Sequence, residues 1–189
     1  MDLSGDIFMA IKRILSMAVV LIITHFFAAT SVWAEPANVA AKTNSTAYKV
    51  HVEVKETKNR IVEGKVRNHT LYIDQPKEFG ADDTAPTPPE TVAFGLGGCI
   101  VSTGRLIAMQ KKMDVKSISA VVESELDFAK ALGMPTDKRA GFSGFKIIVT
   151  IDADMTPEVK TAFLQDITSH CPMCDNLANP TPITYEVAP

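Results

Sequence analysis

The chain has 189 residues, nearly balanced charge (formal net charge −3 at pH 7) and 46% hydrophobic residues. That balance leaves no electrostatic footprint for nucleic acid. The length and apolar content suit one domain able to bury a real core, so a fold held mainly by a structural disulfide staple is a poor fit.

The first 34 residues read as a secretory leader rather than as fold. Lys12 and Arg13 precede an apolar stretch from Ile14 to Ala29, and Thr30-Ser31-Val32-Trp33-Ala34 puts small residues where a signal peptidase needs them. Cleavage after Ala34 would export the protein, to a periplasm, with Glu35 as its first residue and no membrane association. An uncleaved anchor is the alternative, disfavoured because the apolar run is short for a span and holds Thr24 and His25. From Glu35 to Ala47 no apolar period exists, and this stretch is expected to be a tether.

The domain is expected over residues 48–189. Tyr48, Val50, Val52 and Val54 alternate with Lys49, His51 and Glu53, predicting a half-buried strand over 48–54. Arg60 to Val66 and His69 to Ile73 continue the pattern as an antiparallel meander. Asp74 to Thr87 is a long loop of the kind that often carries function. Thr87-Pro88-Pro89-Glu90 then combines a capping-box spacing with Pro at the first helical position, predicting a helix to about Lys112. Its apolar residues lie on nearly every side up to Met109, so it is expected to be buried through most of its length. Gly95, Gly97 and Gly98 weaken it, each by about 1 kcal/mol relative to Ala, which implies close approach of another element just before Cys99.

Val115 to Asp127 and Gly144 to Asp152 are predicted strands. Thr156-Pro157-Glu158 opens a second helix, Cys171-Pro172 starts a short third one ending by Asn179-Pro180, and Ile183, Tyr185 and Val187 alternate as a terminal strand. The class is α+β, with an antiparallel sheet and one long buried central helix.

The chemistry lies in three cysteines. Cys99 ends the run Phe94-Gly95-Leu96-Gly97-Gly98, and 72 positions later comes Cys171-Pro172-Met173-Cys174. An odd count in an oxidising compartment allows one internal disulfide and leaves one thiol over. Pro172 makes Cys171 the N-cap of its helix, where free amides and the dipole favour a thiolate. Cys99, on an apolar helix, is either a reactive thiol or a small core residue. Metal binding by His170, Cys171, Cys174 and Cys99 is disfavoured, because zinc sites usually show two well-spaced ligand pairs. No cofactor is expected.

Thr87-Pro88-Pro89-Glu90, Leu96-Gly97-Gly98-Cys99, the preceding Asp74-Gln75-Pro76 with Gly80, and the distal His170-Cys171-Pro172 together resemble the OsmC/Ohr family of osmotically inducible and organic-hydroperoxide-resistance proteins, over about Tyr48 to Val187. The resemblance implies an intertwined homodimer with the long helices at its centre and two active sites at the interface. It implies a peroxidase cycle in which the position of Cys99 attacks an organic hydroperoxide and that of Cys171 resolves the sulfenic acid as a disulfide. An outside dithiol would then reduce the protein.

Three positions depart from the family pattern. Pro89 stands where the hydroperoxide reductases carry their active-site Glu. Glu90 follows one residue later, about 100° further round a helix, and either serves the site from there, keeping the thiolate reactive, or only closes the capping box. Their active-site Arg has Arg60 as its nearest counterpart, the alternative being a solvated loop charge. Cys174 is additional, and serves as an alternative resolving thiol or as half of a thiol-disulfide exchange motif with Cys171. A non-catalytic dimeric binding protein of the same fold is the remaining alternative.

If the leader is removed as expected, the mature protein begins at Glu35 and lacks Trp33, the one tryptophan of the chain. Intact mass and emission on excitation at about 295 nm check both, and a protein retaining Trp33 would point to the uncleaved anchor.

Overall fold

The computed structural model describes residues 46–189, and the compact domain spans Val50–Pro189. The expected leader over 1–34, and all of the expected tether but its last two residues, lie outside the described residues.

The meander forms as β1 (Glu53–Glu56), β2 (Val62–Val66) and β3 (His69–Ile73), in antiparallel order β1-β2-β3. Register runs from Glu53 opposite Lys65 to Val62 opposite Ile73. The expected strand over 48–54 is corrected to begin at Glu53. Its partner β2 leaves for the next strand after Val66, so Tyr48, Val50 and Val52 have no ladder among the described residues and stand exposed. Val54, expected on a buried face, is exposed as well.

The loop after β3 is organised by Asp74, which is 1% exposed. Its carboxylate accepts from the backbone N–H of Gln75 and from both the N–H and the hydroxyl of Thr84, at 2.8–2.9 Å. These donors, Thr84 first, hold its carboxyl below the usual range. Asp74 also donates its own N–H to Pro86 O, so the loop returns beside its start and delivers Thr87.

Helix α1 (Pro88–Gln110) starts where the sequence places it. Thr87 accepts from Glu90 N–H, and Glu90 accepts from Thr87, closing the capping box. One face is buried, through Leu96, Gly97, Ile100, Gly104, Ile107 and Ala108. The expectation of burial on nearly every side is corrected, because Phe94 is 80% exposed and Leu106 and Met109 are also open.

The buried face of α1 lies on the antiparallel pair β4 (Val115–Ser124) and β5 (Phe145–Ala153). β4 ends three residues before the expected Asp127. A register shift between Val115 and Ser117 marks a bulge, and there Arg105 donates to the carbonyls of Val115 and Lys116 at 2.6 and 3.1 Å. Beyond Gly97 the helix meets Val122, whose Cγ2 is 3.1 Å from where a Cβ would stand; Gly95 and Gly98 face open space in this chain.

Helix α2 (Pro157–His170), N-capped by Thr156, packs on α1, and α3 (Pro172–Ala178) follows at once. The expected terminal strand does not form. Among the described residues Ile183, Tyr185 and Val187 alternate but pair with no strand, and a lone strand leaves its backbone groups to water.

The tightest approach is at Gly104. A Cβ there would stand 2.8 Å from both Ile118 Cδ1 of β4 and Ile167 Cδ1 of α2. Gly104→Ala would gain about 1 kcal/mol of helix propensity against an overpacking cost of about 1–3 kcal/mol. Stability in urea is therefore expected to fall by up to about 2 kcal/mol. A raised midpoint would mean that the contact yields freely.

Candidate active site

The site grows from the α2–α3 junction. Pro172 cannot continue α2, since it lacks an N–H to donate, and its fixed φ suits the first position of a new helix. Cys171 therefore serves as C-cap of α2 and N-cap of α3, with φ −85° and ψ 112°. Its sulfur accepts from Cys174 N–H at 3.4 Å, as the sequence predicts for an N-cap.

Packing of α2 on α1 then places the sulfurs. Ile167 meets α1 at Gly104, and Lys111 at the end of α1 pairs with Asp166 at 2.7 Å. Going four residues up α2 from Ile167 to Cys171 covers about 6 Å, and going five residues down α1 from Gly104 to Cys99 covers about 7.5 Å. Because the helices run antiparallel, these steps end together. Cys99 and Cys174 both pack against the buried cluster that contains Cys171. The thiols of Cys99 and Cys174 both bear on the charge state of Cys171, and that of Cys171 on Cys99. The Met173 amide and the Thr103 hydroxyl favour the charged form of Cys99. All three cysteines are free.

Burial distinguishes them in a way opposite to the sequence expectation. Cys171 is 1% exposed and belongs to the core with Ile100, Phe163 and Ile167, whereas Cys99 and Cys174 are half-buried and pack against it. Burial pushes the Cys171 thiol up, reinforced by the Cys174 thiol, and the amide of the α3 N-terminus only partly opposes this. The expectation of a favoured thiolate at this N-cap is corrected: desolvation outweighs the helix start. Cys99 is also raised, first by burial and then by Cys171, against the donors Met173 and Thr103.

Glu90 and Arg60 do not reach this cluster. Glu90 precedes Cys99 by nine residues, about 13.5 Å along α1 and half a turn round it. Its Oε2 accepts from the N–H and hydroxyl of Thr87 at 2.7 and 2.8 Å, which holds its carboxyl below the usual range. It does close the capping box, and it also lines an open cleft of about 580 Å³ walled by Phe79, Leu126, Phe128 and Phe142. Arg60 is tied to the far wall of that cleft, donating to Phe79 O at 2.6 Å. Gly80 beside it has φ +76°, a left-handed conformation that favours glycine, and a Cβ there would stand in ordinary contact with the guanidinium at 3.5 Å. Arg60 is thus a loop fastener rather than a freely solvated charge.

His170 turns its Nδ1 to Asp166, at 2.8 Å from the backbone oxygen. Among the described residues no group of three His, Cys, Asp or Glu has the arrangement of a metal site. Sequence reasoning missed Thr103, one turn after Cys99 on the same side of α1, which that spacing could have flagged. It also missed the Met173 amide, for which no sequence signal exists.

Because both thiols are raised, Cys99 and Cys171 stay protonated at neutral pH. The linked stability is complete below the ordinary thiol value, about 8.5, and is lost as pH rises through the folded values. Alkylation of Cys99 by iodoacetamide in the reduced protein should accordingly lag a free thiol at pH 7 and still be rising above about pH 9. A plateau below pH 7 would show that some other charge lowers Cys99.

The sequence matches the family model for OsmC-like proteins over residues 80–186, and no curated protein matches it significantly. Several solved structures share its fold. An OsmC-like protein from Mycoplasma pneumoniae superposes with a TM-score of 0.61 at 16% identity, covering 70% of this chain and 89% of that one. An organic hydroperoxide resistance protein from Elizabethkingia anophelis gives 0.53 at 19% identity, covering 71% and 91%. Another, from Legionella pneumophila, gives 0.50 at 20%, covering 70% and 91%. With more than half of its residues inside the family model and its α+β fold shared with these structures, the chain belongs to the OsmC-like family.

Proposed function

We propose that the protein is an exported, dimeric thiol peroxidase that reduces organic hydroperoxides through Cys99 and Cys171. The observation that carries this reading is the meeting of two cysteines 72 positions apart at one buried cluster, Cys171 within it and Cys99 packed against it, delivered there by α1 and the α2–α3 junction. Cys99, the more open of the two, attacks the distal oxygen. The O–O bond breaks, the alcohol leaves with a proton, and the sulfur becomes a sulfenic acid. The Cys171 thiol then displaces water to form the Cys99–Cys171 disulfide, before further oxidation makes the damage irreversible. An external dithiol restores both thiols and is itself oxidised to a disulfide.

Names of structural relatives support the substrate class, since two of those described above are organic hydroperoxide resistance proteins. The aromatic walls of the Glu90 cleft suit an organic rather than an inorganic peroxide. Dimerisation is supported by what the single chain leaves open. The α1 face carrying Phe94, Gly98 and Met109 is uncovered, and the meander β1–β3 packs extensively only on itself. By length and composition alone α1 could cross a membrane; a second copy of α1 against the open face would cover it instead. Glu90 and Cys99 lie too far apart to share a site within one chain, so in this reading Glu90 acts on the cluster of the other protomer. A carboxylate alone would raise a neighbouring thiol further, so Glu90 would act there by positioning other groups rather than by its charge on Cys99. Exchange by Cys171 and Cys174 alone is disfavoured, because Cys171 is closed to outside partners.

Purified protein with excess dithiothreitol should consume tert-butyl hydroperoxide faster than hydrogen peroxide, and Cys99→Ser should remove that consumption. Light scattering should give two copies for the protein and one for Phe94→Asp. Undiminished turnover by Cys99→Ser would overturn the assignment.

A further inference from the structure

Resting on the peroxidase reading, we propose that the three thiols form a relay in which Cys174 takes the disulfide from Cys99 after each turnover and presents it for reduction. Burial and contact along the cluster carry this. Cys99 of α1 and Cys174 of α3 both pack against the buried cluster that contains Cys171. Cys171 is closed to solvent, while both neighbours are half-buried. A disulfide between Cys99 and Cys171 therefore contains one sulfur that only Cys174 can attack. Cys174 is held where it can do so: it lies one turn into α3, and its own N–H donates to the Cys171 sulfur at 3.4 Å. Cys-x-x-Cys at a helix start is also a spacing that closes a disulfide without moving the backbone far.

The steps balance. Peroxide attack and condensation give Cys99–S–S–Cys171, one alcohol and one water. Cys174, losing its proton, attacks the Cys171 sulfur; the new Cys171–Cys174 bond forms as the Cys99–Cys171 bond breaks, and Cys99 leaves as a thiolate that takes up a proton. No electrons are gained or lost overall in this exchange. A dithiol then attacks the half-buried Cys174 sulfur, reducing the Cys171–Cys174 bond and leaving as its own disulfide. Cys99 is thereby returned to the reduced state before the reductant arrives, and peroxide entry and electron entry use different sulfurs.

The test treats reduced protein with one equivalent of tert-butyl hydroperoxide, quenches with N-ethylmaleimide over time and maps disulfides by peptide mass spectrometry. In the wild type a Cys99–Cys171 bond should appear first and convert to Cys171–Cys174. Cys174→Ser should stop at Cys99–Cys171, which also shows that the variant is folded, and Cys99→Ser should form no bond. A wild-type Cys99–Cys171 bond that persists as it does in Cys174→Ser would overturn the relay and leave the peroxidase standing. So would a first bond from Cys99 to Cys174. Rapid Cys171–Cys174 formation in Cys99→Ser, or no reaction in the wild type, would overturn both.

Discussion

The contact between Gly104 of α1 and Ile167 of α2 is the constraint on which the cysteine cluster depends. With any side chain at position 104, the Ile167 methyl could not lie where it does, nor could Ile118 reach in from β4. The helix thus serves as a thin plate between a sheet and a second helix, and its buried face mixes small groups, Gly97, Gly104 and Ala108, with large ones, Leu96, Ile100 and Ile107. Once α2 lies this close, the position of its last turn follows. Pro172 ends it at Cys171, the antiparallel direction points that end back along α1, and Cys99 is what lies there. A residue inserted between Ile167 and Cys171 would turn the sulfur by about 100° and move it about 1.5 Å along the axis, which is enough to lose the thiol contact.

Two opposing effects meet at Cys171. The start of α3 offers an amide to the sulfur, an arrangement that on an exposed helix lowers a thiol. Here the same residue is among the most buried of the domain, packed with Ile100 and Ile167, and desolvation of the charged form prevails. The outcome is a cysteine that stays neutral and shut off from solvent, with the amide fixing its position more than its charge. Cys99, at the surface of the same cluster, shows the same balance with weaker closure, and this difference in access, not acidity, distinguishes their roles in the proposed cycle.

Much of the fold was legible because it is written in local chemistry. Thr87-Pro88-Pro89-Glu90 and Thr156-Pro157-Glu158 specify helix starts through donors and fixed φ angles, and Cys171-Pro172 specifies a break in the same way. The clear failures lie at two chain segments, around Tyr48 to Val52 and Ile183 to Val187. Alternation there reports a surface that suits a sheet, but a strand exists only where another strand pairs with it, and pattern alone does not say whether that partner belongs to the same chain. The largely apolar α1 misled in the same manner: its apolar residues call for cover on nearly every side, and the chain provides it on one. In the site, the residues were legible and their burial was not, because burial of Cys171 depends on Ile100, Phe163 and Ile167 arriving from two helices.

That failure of burial prediction bears on how a three-cysteine protein avoids wrong pairings. Exposed thiols at one site can form any of three internal bonds, as well as mixed disulfides with whatever they meet. Closing the middle one removes its mixed disulfides, because Cys171 then reacts only with the sulfurs packed beside it. The bonds left open to it are those to Cys99 and to Cys174, and only one can exist at a time. Burial by Ile100 and Ile167 is therefore as much a part of the redox chemistry as the sulfurs are, and the core residues that bring α2 onto α1 also set the order in which the thiols can be joined.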